Sequence, residues 1–204
     1  MNSAAAPTWR TWLIWIVGVA AYVLSITNRT SLSAVGVDAA HLFQADASTL
    51  SLFAVLQLAV YGLMQIPVGL LLDRFGSRPI MVAGMLLMSV GQLVMAFAPN
   101  VGVAIVARMI LGAGDAAIFP GVLRLVAIWF PAQRGPLMAQ LTGIVGQLGQ
   151  LVALIPLPLL LHSTTWSVAF GSLAGLGVLF TVLVFALIRN RPPEFTEDVS
   201  VNTD

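Results

Sequence analysis

The sequence is poor in charge and contains neither cysteine nor lysine. Of its 204 residues, 8% are charged and 59% are apolar, and the mean hydropathy is +0.97. Soluble domains carry about 25% charged residues, so this chain cannot cover a globular surface with water-compatible groups. The scarcity of charge excludes a soluble protein and predicts an integral membrane protein.

The missing residue types exclude several kinds of site. Without cysteine there is no disulfide framework, no thiolate metal site and no cysteine nucleophile. The basic residues are all arginine and are scattered, so the charge pattern does not point to nucleic acid. No G-x-x-x-x-G-K-[ST] nucleotide loop is present. His41 and His162 fall in outer loops without a Ser or paired Asp motif, and we expect no enzyme, cofactor or metal site.

Six apolar runs, separated by charged or Pro/Asn-containing breaks, predict six transmembrane helices. Spans of about 20 residues each occupy roughly 120 positions, which leaves room only for short loops. The expected fold is therefore an all-α polytopic membrane protein. The spans are predicted at about 11–35, 49–72, 80–98, 101–129, 135–161 and 166–188, between an N-terminus of residues 1–10 and a tail of residues 189–204.

Arginines near the span ends predict the orientation. They fall on one side of the membrane, whereas the opposite loops, at about 36–48, 99–100 and 162–165, contain no Lys or Arg. The positive-inside rule then places both termini in the cytoplasm and the chain in the plasma membrane, the bacterial inner membrane. A cleaved signal peptide that starts at Arg10 is the alternative for the first run. The arginines are Arg10, Arg74, Arg78, Arg134, Arg189 and Arg191.

Four charged residues fall inside the predicted spans, where charge is expensive and suggests function. Arg108 and Asp115 are two helical turns apart on one face of the fourth helix. Arg124 lies near the cytoplasmic end of that helix and can snorkel, so we assign it a structural role. Arg29 and Arg108 carry two positive charges and Asp115 carries one negative charge, so one positive charge is unmatched. An anionic ligand is the natural partner for it. Alternatively, the charges neutralise one another and only orient the helices.

Polar residues at helical spacing indicate that helices one, two, four and five face a wet interior. The third and sixth helices are the least polar and are predicted to face lipid or to support the others. The glycines at 112–114 and 143–149 are interpreted as sites of close helix packing. The polar stripes consist of Gly18, Tyr22, Ser25, Asn28 and Arg29 in the first helix, Gln57, Tyr61 and Gln65 in the second, and Gln140, Gln147 and Gln150 in the fifth.

The segment GLLLDRFGSR, from Gly69 to Arg78, resembles the signature G-x-L-x-D-R-x-G-x-[RK] of the major facilitator superfamily. It follows the second of six spans on the arginine-rich side. The resemblance implies that Asp73 helps to lock one conformation, held by a nearby Arg and by a helix N-terminus of the opposite half. The residues that we assign to gating are Gly69, Asp73, Arg74, Gly76, Arg78 and Arg134.

Three further motifs resemble the anion:cation symporter family, whose members transport sugar acids, hexuronates and other organic anions. The first is Y-x(3)-Q-I-P-x-G at 61–69, the second R-x(3)-G-x-G-D-A-A-I-F-P at 108–120, and the third W-F-P-x-x-R-G at 129–135. The resemblance implies a fold of two inverted three-helix repeats. This is half of a transporter in which two six-helix halves rock around a midplane site.

The resemblance also implies roles for individual residues. The helix-one arginine of that family, matched by Arg29, contacts the substrate carboxylate, and the helix-two tyrosine, matched by Tyr61, lines the site. The helix-four arginine, matched by Arg108, is coupled to an acid seven residues further on, matched by Asp115, which takes up a proton. Many proton-coupled members carry Asp where this chain has Asn28. The candidate site comprises Arg29, Tyr61, Arg108, Asn28, Tyr22, Gln65 and Gln147 for substrate and Asp115 for the proton.

The residues and the resemblance together predict a secondary active transporter, or its N-terminal half, that moves a small organic anion with protons. Polar stripes on a lone half would face lipid, so something should cover them. We expect the bilayer and a second six-helix half as partners, the latter as a missing C-terminal half, a separate chain or a second copy. Two alternatives stay open: a transporter-like sensor or non-transporting subunit, and a drug:proton antiporter, whose cationic drug the buried arginines would repel.

Overall fold

The computed structural model of the protein describes residues 8–190, and all the regular structure in that range is α-helical. This confirms the predicted all-α class. The helices are α1 (Trp9–Ala34), α2 (Gly36–Phe43), α3 (Ala47–Phe75), α4 (Ser77–Ala96), α5 (Val101–Asp115), α6 (Ile118–Trp129), α7 (Gly135–Gly146), α8 (Leu148–Leu154), α9 (Pro156–Ser163) and α10 (Trp166–Leu187).

Within residues 8–190, six segments are long and apolar enough to cross a membrane. The first, second, third and sixth spans are the single helices α1, α3, α4 and α10. The fourth span combines α5 and α6 over Val101–Trp129, and the fifth combines α7, α8 and α9 over Gly135–Ser163. The prediction of six transmembrane helices is thus confirmed, and the helix ends lie within one turn of the predicted ones.

The segment between the first and second spans is ordered, although the sequence predicts it as a loop. Gly36–Phe43 forms α2, so that prediction is wrong there. Gln44 ends the helix in the left-handed conformation, with φ of 49°. The Asp46 carboxylate then caps α3 by accepting the Thr49 N–H at 2.9 Å. Hydrogen bonds from Thr49 and Ser48 lower the pKa of Asp46 to about 2.

The fourth and fifth spans are each interrupted close to prolines. Pro120 has no N–H to donate to residue 116, and α5 and α6 are separated by a turn at Ala116 and Ala117. The fifth span breaks at Gln147 and again at Ile155, immediately before Pro156. The break in the fourth span places Asp115 at the end of α5, in the interior of the bundle.

Glycines bring the spans into backbone contact. A methyl group on Gly84 of α4 would lie 2.6 Å from the Gly114 carbonyl oxygen of α5, and one on Gly114 would meet the Gly84 carbonyl oxygen. A methyl group on Gly112 would likewise meet the Gln57 carbonyl oxygen of the second span. Close packing therefore explains Gly112 and Gly114 of α5, since any side chain there would push the spans apart.

The glycines of the fifth span are less uniform. A methyl group on Gly149 would meet the Val23 carbonyl oxygen of the first span, and one on Gly146 would meet the Tyr22 ring. At Gly143 the same addition would meet nothing within 4 Å. The packing interpretation holds for Gly146 and Gly149 and fails for Gly143.

The six spans are arranged in matching contacts. The first span packs against the fifth, the fourth span packs against the second, and the third and sixth pack against each other. Two three-helix units related by a rotation would produce this pairing. The second and fifth spans are the least buried of the six.

We expect Gly114→Ala to lower the thermal stability of the detergent-purified protein. The added methyl group overpacks the contact with α4, and overpacking costs about 1–3 kcal/mol. Gly175→Ala is the matched control, because a methyl group there meets nothing within 4 Å and Ala is the better helix former. Melting followed by intrinsic fluorescence should show a loss for the first variant and no loss for the second. An equal effect of both would contradict the packing assignment.

Candidate functional site

An ion pair between the first and fourth spans lies at the centre of the candidate site. Arg29 Nε donates to Asp115 Oδ2 at 2.6 Å, and the Ser25 hydroxyl donates to Asp115 Oδ1. The Asp115 side chain is 1% exposed, whereas the Arg29 side chain is 29% exposed. The carboxylate is therefore sealed inside the bundle while the guanidinium remains accessible.

Arg29 also contacts Tyr61 of the second span and faces a cavity. Its Cζ atom lies 4.5 Å from the centroid of the Tyr61 ring, within the range of a cation–π interaction. A cavity of about 280 Å³ opens beside it between the first and second spans, and Ser33, Ser51 and Gln57 contribute polar groups to its wall. The structure thus brings Arg29, Tyr61 and Asp115 together, as expected of a shared site.

Arg108 lies in a separate polar cluster and is 1% exposed. Its Nη1 donates to the Asn28 carbonyl oxygen at 3.1 Å, and its Nη2 donates to Ser31 Oγ at 3.1 Å. Gln92 Nε2 joins the cluster by donating to Asn28 Oδ1 at 2.7 Å. Asn28 is therefore buried among Ser31, Gln92 and Arg108, and it anchors the first span to the third and fourth.

The expected coupling of Arg108 to Asp115 is corrected by the structure. Asp115 pairs with Arg29 instead, and no carboxylate of residues 8–190 lies within 4.0 Å of Arg108. The physical reason is distance: seven residues of helix rise about 10 Å, so the two side chains share a face without touching. Arg29 reaches the carboxylate from the neighbouring helix.

The other predicted substrate residues lie outside this ion pair. Tyr22 is 8% exposed and packs its ring against Phe119, with the centroids 4.8 Å apart. Gln147 lies on the exposed side of the fifth span, where it accepts a hydrogen bond from Gln150 at 2.5 Å. The buried amide nitrogen of Gln65 has no partner among residues 8–190.

Sequence reasoning missed Ser31 and undervalued Gln92. Ser31 follows Asn28 by three residues, so helical spacing already places the two on one face. Gln92 is a fully buried amide in the third span, which was predicted only to face lipid or to support the others. A buried amide needs a partner, and that requirement is the signal that could have linked Gln92 to the polar face of the first span.

The signature segment forms a second cluster at the other end of the second span. Asp73 Oδ1 accepts from Arg124 Nη1 at 2.5 Å. Arg124, assigned a structural role from the sequence, therefore ties the signature to the fourth span. Gly76 turns the chain with φ of 84°, a conformation that favours glycine.

The sixth span holds the same turn from the opposite side. Arg78 Nε donates to the Phe185 carbonyl oxygen at 2.8 Å, and the backbone N–H of Arg78 donates to Asn190 Oδ1 at 2.8 Å. Asn190, which sequence reasoning missed, also donates from Nδ2 to the Phe75 carbonyl oxygen at 3.3 Å. The signature turn is thus bonded to both the fourth and the sixth spans.

The remaining residues assigned to gating make fewer contacts. Arg74 lies with its Cζ atom 5.2 Å from the Phe75 ring centroid, and a methyl group on Gly69 would meet nothing within 4 Å. Arg134 is exposed in the loop between the fourth and fifth spans. No carboxylate in the described part of the chain lies within 4.0 Å of Arg74 or Arg134.

Solved structures share this arrangement of helices. A bacterial homologue of the human lysosomal transporter Spinster, in an inward-facing and unoccupied conformation, superposes with a TM-score of 0.81 at 15% identity, covering 92% of this chain and 45% of that one. A proton:xylose symporter of the major facilitator superfamily gives a TM-score of 0.78 at 16% identity, covering 88% and 45%. At these identities the likeness shows the fold alone.

Sequence relatives include transporters of sugar acids. The chain is 30% identical over 207 residues to a D-galactonate transporter of Escherichia coli O6:H1, covering 97% of this chain and 46% of that protein. It is 29% identical over 135 residues to the probable galactarate/D-glucarate transporter GudP of Escherichia coli K12, covering 63% and 30%. The chain thus spans less than half the length of these relatives.

A family model with the description Major Facilitator Superfamily matches residues 18–202, which is most of the chain. The relatives and the fold are those of transporters, which are not enzymes. The six apolar spans make the chain a multi-pass membrane protein. This chain therefore belongs to the major facilitator superfamily.

Proposed function

We propose that the chain is a secondary active transporter, or the N-terminal half of one, that moves a small organic anion such as a sugar acid together with protons. The ion pair of Arg29 with Asp115 carries this proposal. Its guanidinium is accessible to an anion, and its carboxylate is buried. Galactarate, D-glucarate and D-galactonate appear in the names of the relatives. Galactonate carries one carboxylate and the other two carry two, and a guanidinium can bind a carboxylate by two parallel hydrogen bonds.

An anionic substrate would compete with Asp115 for Arg29. A guanidinium has a planar fork of donors that matches a carboxylate, and one edge of that fork is already committed to Asp115. The Tyr61 ring supports the guanidinium from one face. The cavity beside Arg29 has hydroxyl groups from Ser33 and Ser51 that can bond to the hydroxyls of a sugar acid.

Proton uptake would release Arg29 to the substrate. A protonated Asp115 is neutral and no longer holds the guanidinium by charge, so Arg29 can turn to an anion in the cavity. Loss of that proton would restore the internal pair and expel the anion. Arg29 would then face a negatively charged partner in the interior of the membrane at either stage.

The exposed faces of the second and fifth spans support the proposal of a second six-helix half. Those spans are the least buried, and the second span lines the Arg29 cavity, so a second half that covered the second span would also cover the site. Alternating access would then rock the halves around Arg29. The bonded signature turn, with Asp73 and Arg124, would hold the closed cytoplasmic side.

Arg29→Gln should weaken the binding of D-galactonate or D-glucarate by tenfold or more, because a charged hydrogen bond contributes about 1.5–3 kcal/mol. Isothermal titration calorimetry on the purified protein measures the effect. Arg10→Gln is the matched control, since it removes an arginine from the same span far from the cavity. Equal affinity in Arg29→Gln and the unmodified protein would refute the site assignment, and binding without flux in proteoliposomes would favour the sensor alternative.

Asp115→Asn should remove the pH dependence of anion binding before it removes binding itself. In the unmodified protein, affinity should fall as pH rises, because an ionised Asp115 competes for Arg29. The asparagine variant cannot ionise and should bind with one affinity between about pH 5.5 and 8.5. The probe is D-glucarate, and the Ser51→Ala variant serves as a control that retains the carboxylate. An unchanged pH profile in Asp115→Asn would exclude it as the proton carrier.

Both termini should lie in the cytoplasm, with the turn before α3 on the outer side. The natural absence of cysteine allows single cysteines to report the orientation directly. A membrane-impermeant maleimide should label Ser48→Cys in intact bacterial cells, but should label Ala132→Cys only after permeabilisation. Both positions are exposed. The reverse pattern would show the opposite orientation.

A further inference from the structure

A basic and aromatic cavity lies where the first span begins and the sixth span ends. It has a volume of about 360 Å³, and its polar wall is formed by Arg10 and Arg189 with Trp9 and Trp129 beside them. Trp129 Nε1 donates to the Arg189 carbonyl oxygen at 3.1 Å, which fixes the end of the sixth span. No carboxylate of residues 8–190 lies within 4.0 Å of either arginine.

The start of α1 adds to the positive potential of this cavity. Thr8 makes no side-chain capping bond, and the first turn of α1 contains no acidic residue. The free N–H groups and the positive end of the helix dipole are therefore left without a negative side chain. Two arginines and a helix terminus at one point favour a negatively charged group.

An apolar groove lies further along the first span, between it and the fifth span, and includes Phe180 of the sixth span. It has a volume of about 440 Å³ and is lined by Ile16, Ala20, Val23 and Phe180, with further apolar residues of the first and fifth spans. The polar side-chain groups of its lining are already bonded: Thr27 donates to the backbone oxygens of Val23 and Gly149, and Trp15 Nε1 donates to Thr142 Oγ1 at 3.0 Å. The groove therefore has no free polar group for a solute and suits a hydrocarbon chain.

The distance between cavity and groove matches one leaflet of a bilayer. Arg10 and Ala20 are ten residues apart on α1, which is about 15 Å along the axis. Half of a hydrocarbon core of about 30 Å is about 15 Å. Residues 9, 13, 16, 20 and 23 recur at steps of three or four, so they lie on one face of α1.

We propose that the chain binds one anionic phospholipid of the inner leaflet, with its phosphate at Arg10 and Arg189, where the first span begins and the sixth ends, and an acyl chain in the groove between the first and fifth spans. Basic pockets between membrane helices on the cytoplasmic side bind anionic headgroups, and tryptophans lie at headgroup depth. Such a lipid would clamp the ends of the first and sixth spans together. This site is separate from the proposed anion site at Arg29, and its test does not depend on transport.

Native mass spectrometry of the full, detergent-purified chain, titrated with phosphatidylglycerol, tests the proposal. One phosphatidylglycerol should remain bound at concentrations at which phosphatidylcholine with the same acyl chains does not. The double variant Arg10→Gln/Arg189→Gln should weaken retention roughly 30-fold, because each arginine near a membrane surface contributes about a fivefold preference. Arg74→Gln/Arg134→Gln is the matched control, since it removes the same charge outside the cavity.

A second variant tests the groove without altering charge. Ala20→Trp fills the apolar groove and should also weaken phosphatidylglycerol retention, with circular dichroism confirming that the helices are retained. Equal losses in the two double variants would reduce the effect to general charge attraction and overturn the proposal. Glycerol 3-phosphate bound as tightly as the lipid would assign the cavity to a soluble phosphate instead. If phosphatidylglycerol were retained only after deletion of residues 191–204, the cavity would be assigned to the acidic tail instead, which would overturn the proposal.

Discussion

The buried ion pair of Arg29 and Asp115 determines how the first and fourth spans can be placed. In hydrocarbon, an unpaired carboxylate or guanidinium is expensive, and removing one partner of a buried pair leaves the other uncompensated. Asp115 is 1% exposed and is bonded at both oxygens by side chains of the first span, from Ser25 and Arg29. The two spans therefore cannot move apart or slide without exposing a charge, and the other helices pack around that constraint.

Glycines let the neighbouring helices pack closely around this pair. Gly112 and Gly114 place the backbone of α5 against the second and third spans, and Gly149 places the fifth span against the first. Close contact of this kind replaces the hydrophobic driving force that helices lack in lipid. The polar cluster around Arg108 is held by the same packing, since Asn28, Gln92 and Arg108 come from three different spans.

Helix number, class and the polar faces could be predicted from residue chemistry, because apolar runs of membrane length and isolated charges are strong local signals. The partner of Asp115 could not be predicted in this way. Spacing within one helix shows which residues share a face, but not which neighbouring helix packs against that face. The pairs Asp73 with Arg124 and Arg78 with Asn190 join residues far apart in the chain. The helix α2 escaped prediction because eight residues between two spans give too short a pattern.

Charge balance links the two arginines to the proposed exchange. The interior holds Arg29 and Arg108 against one acid, Asp115, so the described part of the chain has one excess positive charge there. If Asp115 takes a proton and a carboxylate binds Arg29, the same two arginines face one carboxylate again. For a monocarboxylate such as galactonate, the intramembrane charge would then be equal in the empty and loaded states. In the proposed exchange Arg108 would keep its carbonyl and hydroxyl partners, whereas Arg29 would change partner.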